Sequence, residues 1–599
     1  MSGRTNRLLR VDLSSGRRNV EEIDPQLADE FLGGRGLAAH IVTAEVGSES
    51  DPLGPESKIV FVTGLLAGTG AVAGSHWCVA ARSPLGGLAC SALGGHFGAE
   101  LRFAGYDAIV VEGQSADPCY LSIRDDAVEV VSALHLWGRT THQAEEMVRS
   151  EAGDPWKGRE TRLLSIGPAG EKLAPLAAVV ADGFRFGLGD GLAAVMASKK
   201  LKAIAVRGTK GLRVANGEAF RDAVSRTIDR VKRSSLVTDV FWPHGTASFI
   251  DAANAQGILG ARHFQNGVLE GAEALGGRAM AGSIFRRGLG CFGCAIACGR
   301  LTEVRADDSS LLGEGPEHTA LGALGSSCGV SDLEAVARAS HVCAEQGIDP
   351  VAAGSTIACA MELAEKGLIP EDDLGSELRF GDAEAVLLTL GRIARRRRFG
   401  DILAEGPAAL AERYGQPDLF MGVRGRAAAA YDPRGNQALG LWYATSSYGP
   451  GRVEGSPLVK DLLRGGGEPT SAEGKAAQVV QSQDLEAFFD SVGICPLATV
   501  VLSLDDILRV FNAATGFDLS PESAQRVGER VVNLERRFNL QCGVGEDRLP
   551  PRWTEEPMPE GPAQDQVCSL EPMLREYYDL RGWDGTGAPT AEKLAELGL

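Results

Sequence analysis

Up to about residue 210 the apolar positions fall in short β-branched runs bounded by Gly or Pro. Residues 58–63, 107–112, 119–123, 127–131 and 203–207 each read as one strand. From about Asn216 the spacing changes to three and four. Residues 218–233, 333–345, 352–366 and 383–394 predict amphipathic helices. The basic run 395–398 reads as a solvated helix end favoured by the helix dipole. A loop-rich stretch at 415–425 precedes further helical pattern at 472–492, 504–514, 521–537 and 570–578, and a short helix begins at Thr590. No internal repeat is evident. The pattern predicts an α+β chain in three parts: a β-rich domain over 1–210, a helical domain over 211–415 and a second helical domain over 416–599.

The length, 599 residues, suits several cores rather than one. A net charge of −19 argues against a nucleic-acid partner. The polar start of the chain, with no long apolar run, predicts a cytoplasmic protein without membrane insertion. A reducing compartment leaves the twelve cysteines as thiols rather than a disulfide framework. Eight are scattered and read as small buried apolar residues.

The other four carry the main chemical signal. Cys291-Phe-Gly-Cys294-Ala-Ile-Ala-Cys298 brings three thiolates within reach of one centre, and Gly290 and Gly293 let the backbone wrap it. An iron–sulfur cluster takes four thiolates. Zinc competes, although structural zinc sites usually come as two separated ligand pairs. The radical-initiating spacing is the reverse of this one. Spacing alone does not choose the fourth ligand; Cys495, two residues beyond Gly493, is a candidate.

Glycine is abundant at 77 residues, against a usual share of about 7%. Segments 33–37, 64–70, 83–87, 94–98 and 187–191 are rich in it. Exposed N–H groups at such turns can hold phosphate oxygens, so Gly94 and Gly95 are candidate contacts for a bulky anionic cofactor. Ordinary strand turns are the competing reading. None of these segments is a dinucleotide fingerprint or a P-loop.

Taken together, these segments resemble the aldehyde:ferredoxin oxidoreductase family of tungsten enzymes nearly end to end. The matches run through Gly33-Gly-Arg-Gly-Leu37, 83–113, 194–204, 291–300, Gly315-Pro-Glu317, Ala430-Tyr-Asp-Pro-Arg-Gly435, 490–495 and 577–584. The resemblance implies a two-sheet N-terminal β domain forming a base for the cofactor, covered by two mainly α-helical domains. It implies tungsten, or molybdenum, held by two pterin dithiolenes, with Mg2+ bridging pterin phosphates. A [4Fe-4S] cluster would be bound by Cys291, Cys294, Cys298 and Cys495. Arg185, Asp349, Asp490, Gly493 and Ile494 match positions around the cofactor. Electrons would leave through ferredoxin or a small iron–sulfur subunit, and homodimers occur in the family.

The departures bear on function. The family's catalytic glutamate falls at Thr319 and its catalytic histidine at Arg452. A carboxylate or an imidazole can carry a proton, whereas arginine stays charged and binds anions. His76 stands where an arginine is usual, Ala344 replaces an aspartate, and Gly189 replaces a second arginine. Glu317, His318 and Tyr448 are the remaining candidates for proton transfer, and Arg452 is a candidate for holding an anionic substrate. Three functions follow: an oxidoreductase acting on an aldehyde or carboxylic-acid type of small molecule, a relative acting on an acyl-CoA or other anion, or a non-catalytic electron-transfer subunit.

Overall fold

The computed structural model describes residues 4–151, 160–189, 191–306, 309–374, 377–465 and 468–599. The β-branched runs build two six-stranded sheets. The first runs Arg17–Glu22, Arg7–Asp12, Ala108–Glu112, Ile59–Thr63, Trp77–Arg82, Leu88–Leu93 from edge to edge. The second runs Arg185–Gly187, Val179–Ala181, Arg162–Ile166, Leu201–Arg207, Cys119–Arg124, Ala127–Ser132. Each contains one parallel pair, Arg7–Asp12 with Ala108–Glu112 and Cys119–Arg124 with Leu201–Arg207. Ile59–Thr63 is buried at every position, which is why it reads as a continuous apolar run rather than an alternating one.

The helices form where the 3.6 periodicity places them: Gly217–Arg233, Leu333–Gln346, Pro350–Glu365, Ala383–Arg395, Lys475–Val492, Leu504–Thr515, Pro521–Gln541, Leu570–Arg581 and Ala591–Leu597. Their starts are local. Asn216, Asp332, Asp349, Asp382 and Thr590 each accept a first-turn N–H. Ser503 and Ser520 form capping boxes. Gly347, Gly493, Gly516 and Gly582 end helices in the left-handed conformation. Among the described residues no helix is long and apolar enough to cross a membrane.

Several segments differ from expectation. Segment 33–37 is no loop: it opens the helix Gly34–Glu45, which packs on the first sheet. A β-carbon on Gly34 would collide with the Asp490 carbonyl, so the glycine serves close packing on the helix Lys475–Val492. Gly64 likewise lies backbone to backbone against Gly493. Segment 94–98 runs into the helix Phe97–Ala104. The middle of the chain, expected to be helical, also holds an antiparallel sheet of Phe285–Leu289, Gly299–Ala306 and Ser309–Glu314. Helix Gln437–Thr445 is buried all round, so it carries no amphipathic signal. Within the basic run 395–398, Arg396 is ion-paired to Asp401 and Glu405 rather than simply solvated.

Candidate active site

The three clustered cysteines lie on the connection between strands Phe285–Leu289 and Gly299–Ala306. Gly293 takes φ 68° there, so the loop can turn on itself. The Phe292 N–H donates to the Gly95 carbonyl at 3.1 Å, tying this loop to the N-terminal domain. Cys495 arrives from the other side, just past Gly493, which ends the helix Lys475–Val492. Its N–H donates to the Ala73 carbonyl at 2.9 Å, while the His76 N–H donates to Gly493 at 3.0 Å. One N-terminal segment thereby holds Cys495 beside the loop of the other three. A β-carbon on Gly94 would sit 2.8 Å from the Cys291 sulfur, leaving space there only for glycine.

Burial, with the nearby charges of Cys495, Cys291 and Cys294, pushes the Cys298 thiol well up. Cys294 and Cys495 are raised by burial and by the same neighbours. Two arginines face this group. Burial opposes the charge on Arg185, but Cys291, Glu314 and Glu317 outweigh it and hold its pKa above the ordinary value. Arg300 donates through Nη1 to the carbonyls of Ala297 and Gly299, while its Nε and Nη2 are buried with no hydrogen-bond partner. Among the described residues, no three His, Cys, Asp or Glu side chains are arranged to hold a single metal ion.

Cys291, Cys298 and Cys495 line one wall of a cavity. His76, Gly94, Arg185, Glu317, His318, Tyr448 and Arg452 line the rest of it, with Thr319 and Glu454. Asp349 lines an adjoining space that shares Gly189, Arg426 and Gly451 with the first. Burial raises the Asp349 carboxyl to about 6. Besides Cys294, four predicted site residues do not reach the wall. Asp490 is buried behind Arg452 and His76, Gly493 packs on Gly64, and Ile494 lies in the core. Gly95 stands off it, its missing side chain replaced by the carboxylate of Asp182.

Under the cavity lies a dense ionic layer. Arg452 donates from both terminal nitrogens to Asp490, at 2.7 and 2.9 Å. Its charge is met inside the protein, which removes the footing for an anionic substrate held at Arg452. Arg35 makes a two-pronged bond to Glu535 at 2.8 and 2.7 Å and stacks on Tyr448, whose hydroxyl donates to Glu486. Burial raises the Glu486 carboxyl to about 7, against the pull of Arg452. Burial would raise Asp490 too, but Arg452 and His76 bring it well below the carboxylate range. His76, lowered chiefly by burial, is a neutral imidazole at neutral pH. Glu317 is bound to Arg185 at 3.0 Å and is 43% exposed, so it is neither free nor desolvated.

His318 is different. It is buried on the cavity wall, with Nε2 3.4 Å from Glu454 and Nδ1 2.7 Å from the Tyr431 hydroxyl. Burial would raise the Glu454 carboxyl, but His318 and then Arg452 hold it at about 2, so it is ionised. Burial and the Glu454 charge keep the Tyr431 hydroxyl protonated. Thr319 and Arg452, where the resemblance leads one to expect a catalytic glutamate and histidine, both line the cavity. A histidine one residue before the first and a glutamate two residues after the second meet in the same cavity. Sequence reasoning missed Glu454, Tyr431 and Arg300. The offset of two between Arg452 and Glu454 was visible, but nothing local pairs Glu454 with a residue 136 positions away.

A β-rich base, a helical cover and a thiol-walled cavity between them define a redox-cofactor protein. Residues 8–208 match the family description "Aldehyde ferredoxin oxidoreductase, N-terminal domain", and residues 222–599 match its "domains 2 & 3". The chain belongs to the aldehyde ferredoxin oxidoreductase family. It is 40% identical over 611 residues to the tungsten-containing aldehyde ferredoxin oxidoreductase of Pyrococcus furiosus, covering 100% of this chain and 99% of that protein. The corresponding Thermococcus kodakarensis protein is also 40% identical, over 613 residues, with 100% and 99% covered. The aliphatic sulfonate oxidoreductase WOR-like subunit of P. furiosus is 27% identical, with 99% and 96% covered. The BamBC active-site complex of benzoyl coenzyme A reductase shares the fold, with a TM-score of 0.84 at 24% identity over 100% of this chain and 97% of that one.

Proposed function

We propose that this protein oxidises aldehydes to carboxylic acids with a tungsten–pterin centre and a [4Fe-4S] cluster, and passes the electrons to ferredoxin. The observation that carries this is the meeting of Cys291, Cys298 and Cys495 with the His318–Glu454 pair in one cavity. Full-length identity to tungsten-containing aldehyde ferredoxin oxidoreductases supports the metal, the substrate class and the acceptor.

The donor set suits a cubane on Cys291, Cys294, Cys298 and Cys495. A single zinc needs its ligands all within about 2.3 Å of one point, and the described side chains offer no such group. The spare donors of Arg300 and the raised pKa of Arg185 suit a cluster with net negative charge. His76, Gly94 and Arg185, with Asp349 next door, would hold the pterin cofactor. Asp490, Gly493 and Ile494 would support that wall from behind, and Mg2+ on the pterin phosphates belongs to the same reading. When bound, the tungsten centre supplies two-electron redox chemistry and the cluster a one-electron exit.

The rest falls to this chain's own side chains. Oxidation of an aldehyde with water yields the carboxylic acid, two protons and two electrons. The ionised Glu454 carboxylate takes up a proton and shares it with Nε2 of His318, while Tyr431 holds the ring through Nδ1. Thr319 and Arg452 do not substitute for it. Anaerobic assay of metal-loaded protein with short aldehydes and ferredoxin or a viologen tests the proposal. Aldehyde-dependent reduction that falls steeply in His318→Asn is expected. Loaded protein that reduces neither acceptor would overturn it and favour an electron-transfer subunit.

A further inference from the structure

The net charge is −19, yet five arginines line one open surface groove. Arg226, Arg230 and Arg233 project from the helix Gly217–Arg233, Arg464 from Pro457–Arg464 and Arg509 from Leu504–Thr515. All five are exposed. Asp229 and Asp506 also line the groove, so its lining keeps a net excess of three positive charges. Arg226 is paired with Asp222 and Arg230 with Asp506, but Arg233 and Arg509 have no ion pair among the described residues. The groove is a cationic patch on an acidic protein. It creates a local field that steers an anionic partner to one face.

Its position identifies the partner. Two stretches of chain lead from the groove to the cysteine ligands. Val500, on its lining, ends the short 3-10 turn Pro496–Val500 that Cys495 caps, and Arg464 holds the Val500 carbonyl at 2.5 Å. At roughly 2 Å per residue that turn spans only about 10 Å. Leu236, also on the lining, opens the helical turn Leu236–Phe241, which delivers Trp242. Trp242 is 41% exposed, and its indole N–H donates to the Ala295 carbonyl at 3.1 Å, between Cys294 and Cys298. Gly293 in the same loop is exposed. The groove therefore lies beside an edge where the cysteine loop reaches the surface.

We propose that this groove docks a small acidic iron–sulfur carrier protein and sets its redox centre against Trp242 and the 293–295 edge. The inference rests on the cluster and acceptor proposed above. Each encounter moves one electron from the reduced cluster to the oxidised carrier and transfers no atom. Two encounters therefore remove the two electrons released per aldehyde.

The test uses holoenzyme carrying Arg233→Glu with Arg509→Glu, beside a control carrying Arg395→Glu with Arg397→Glu on a different exposed basic run. Iron content and Tm are checked first. Binding of a small acidic [4Fe-4S] ferredoxin is measured at low and high salt, and aldehyde-driven reduction of that ferredoxin is compared with that of benzyl viologen. The groove variant should show Kd and KM for ferredoxin raised by about tenfold or more at low salt, with the difference closing at high salt. The viologen rate should stay within about twofold, and the control should match wild type. Unchanged ferredoxin binding in the groove variant, or an equal loss in the control, would overturn the docking site. Wild-type holoenzyme that reduces neither acceptor would count against the proposed reaction, and the binding measurement would still decide the docking site.

Discussion

The two faces of the cavity are built in opposite ways. The thiol face is assembled from one short loop plus Cys495, held by backbone hydrogen bonds and by glycines whose missing side chains leave room for sulfur. The polar face is assembled from single side chains of separate segments, His318 with Arg452 and Glu454, backed from beneath by Arg35, Glu486 and Asp490. The thiol face draws three of its four cysteines from one stretch of eight residues. The polar face pairs His318 with Glu454 across 136 positions of chain. Metal ligation fixes several atoms at once, so its residues change together or not at all. A proton carrier needs only one ring nitrogen at the right place, which more than one position along the wall can supply.

The largest effect should come from the thiol face. Cys298→Ala should take iron from about four per chain to near zero and abolish activity, read by metal analysis and visible absorbance. On the polar face His318→Asn should lower kcat by about 10²–10⁴-fold at unchanged iron content. Iron loss in that variant would erase the distinction between the two faces.

A third region sharpens the comparison, because it has the same chemistry without the cavity. Glu362 accepts from Arg552 at 2.8 and 2.7 Å and lies 2.7 Å from His263, all buried. Glu362→Gln should cost about 3–5 kcal/mol at pH 7 while leaving kcat unchanged, since it strands a buried arginine. Burial opposes ionisation of Glu362, but Arg552 and His263 hold its pKa well below the ordinary carboxylate value. Its stabilisation is therefore full above that value and is lost as pH falls below it. His263, lowered chiefly by burial, acts in the same direction once pH falls below its ordinary 6.5. The stability gap between variant and wild type, measured by denaturant unfolding, should narrow from pH 7 to pH 4. The smallest effect should be that of Tyr431→Phe, which frees the His318 ring at the cost of one hydrogen bond. A fall in kcat of about tenfold is expected, with KM for aldehyde little changed.

What could be read from the chain follows the same division. The strands at 59–63 and 108–112 and the helices beginning at Asp332, Ser503 and Ser520 announce themselves through local apolar period and local caps. The cysteine loop does so through spacing. Helix Gln437–Thr445 and the strands 285–289 and 299–306 do not, since one is apolar on every side and the others mix arginine and glycine. Glycines 33, 34 and 64 suggested phosphate-binding turns, but their reason is tertiary: each abuts the backbone of residues 490–493. Arg452 reads as an anion receptor in the sequence, whereas in the fold both its terminal nitrogens donate to Asp490. Glu454 and Tyr431 acquire their meaning only when the fold brings them to His318.

The most direct test of the central claim is the metal content of anaerobically purified protein from cells supplied with tungsten, molybdenum, iron and zinc. The account predicts about four irons together with about one tungsten per chain, the iron disappearing in Cys298→Ala and persisting in His318→Asn. Zinc without iron, or iron that survives the loss of Cys298, would contradict it.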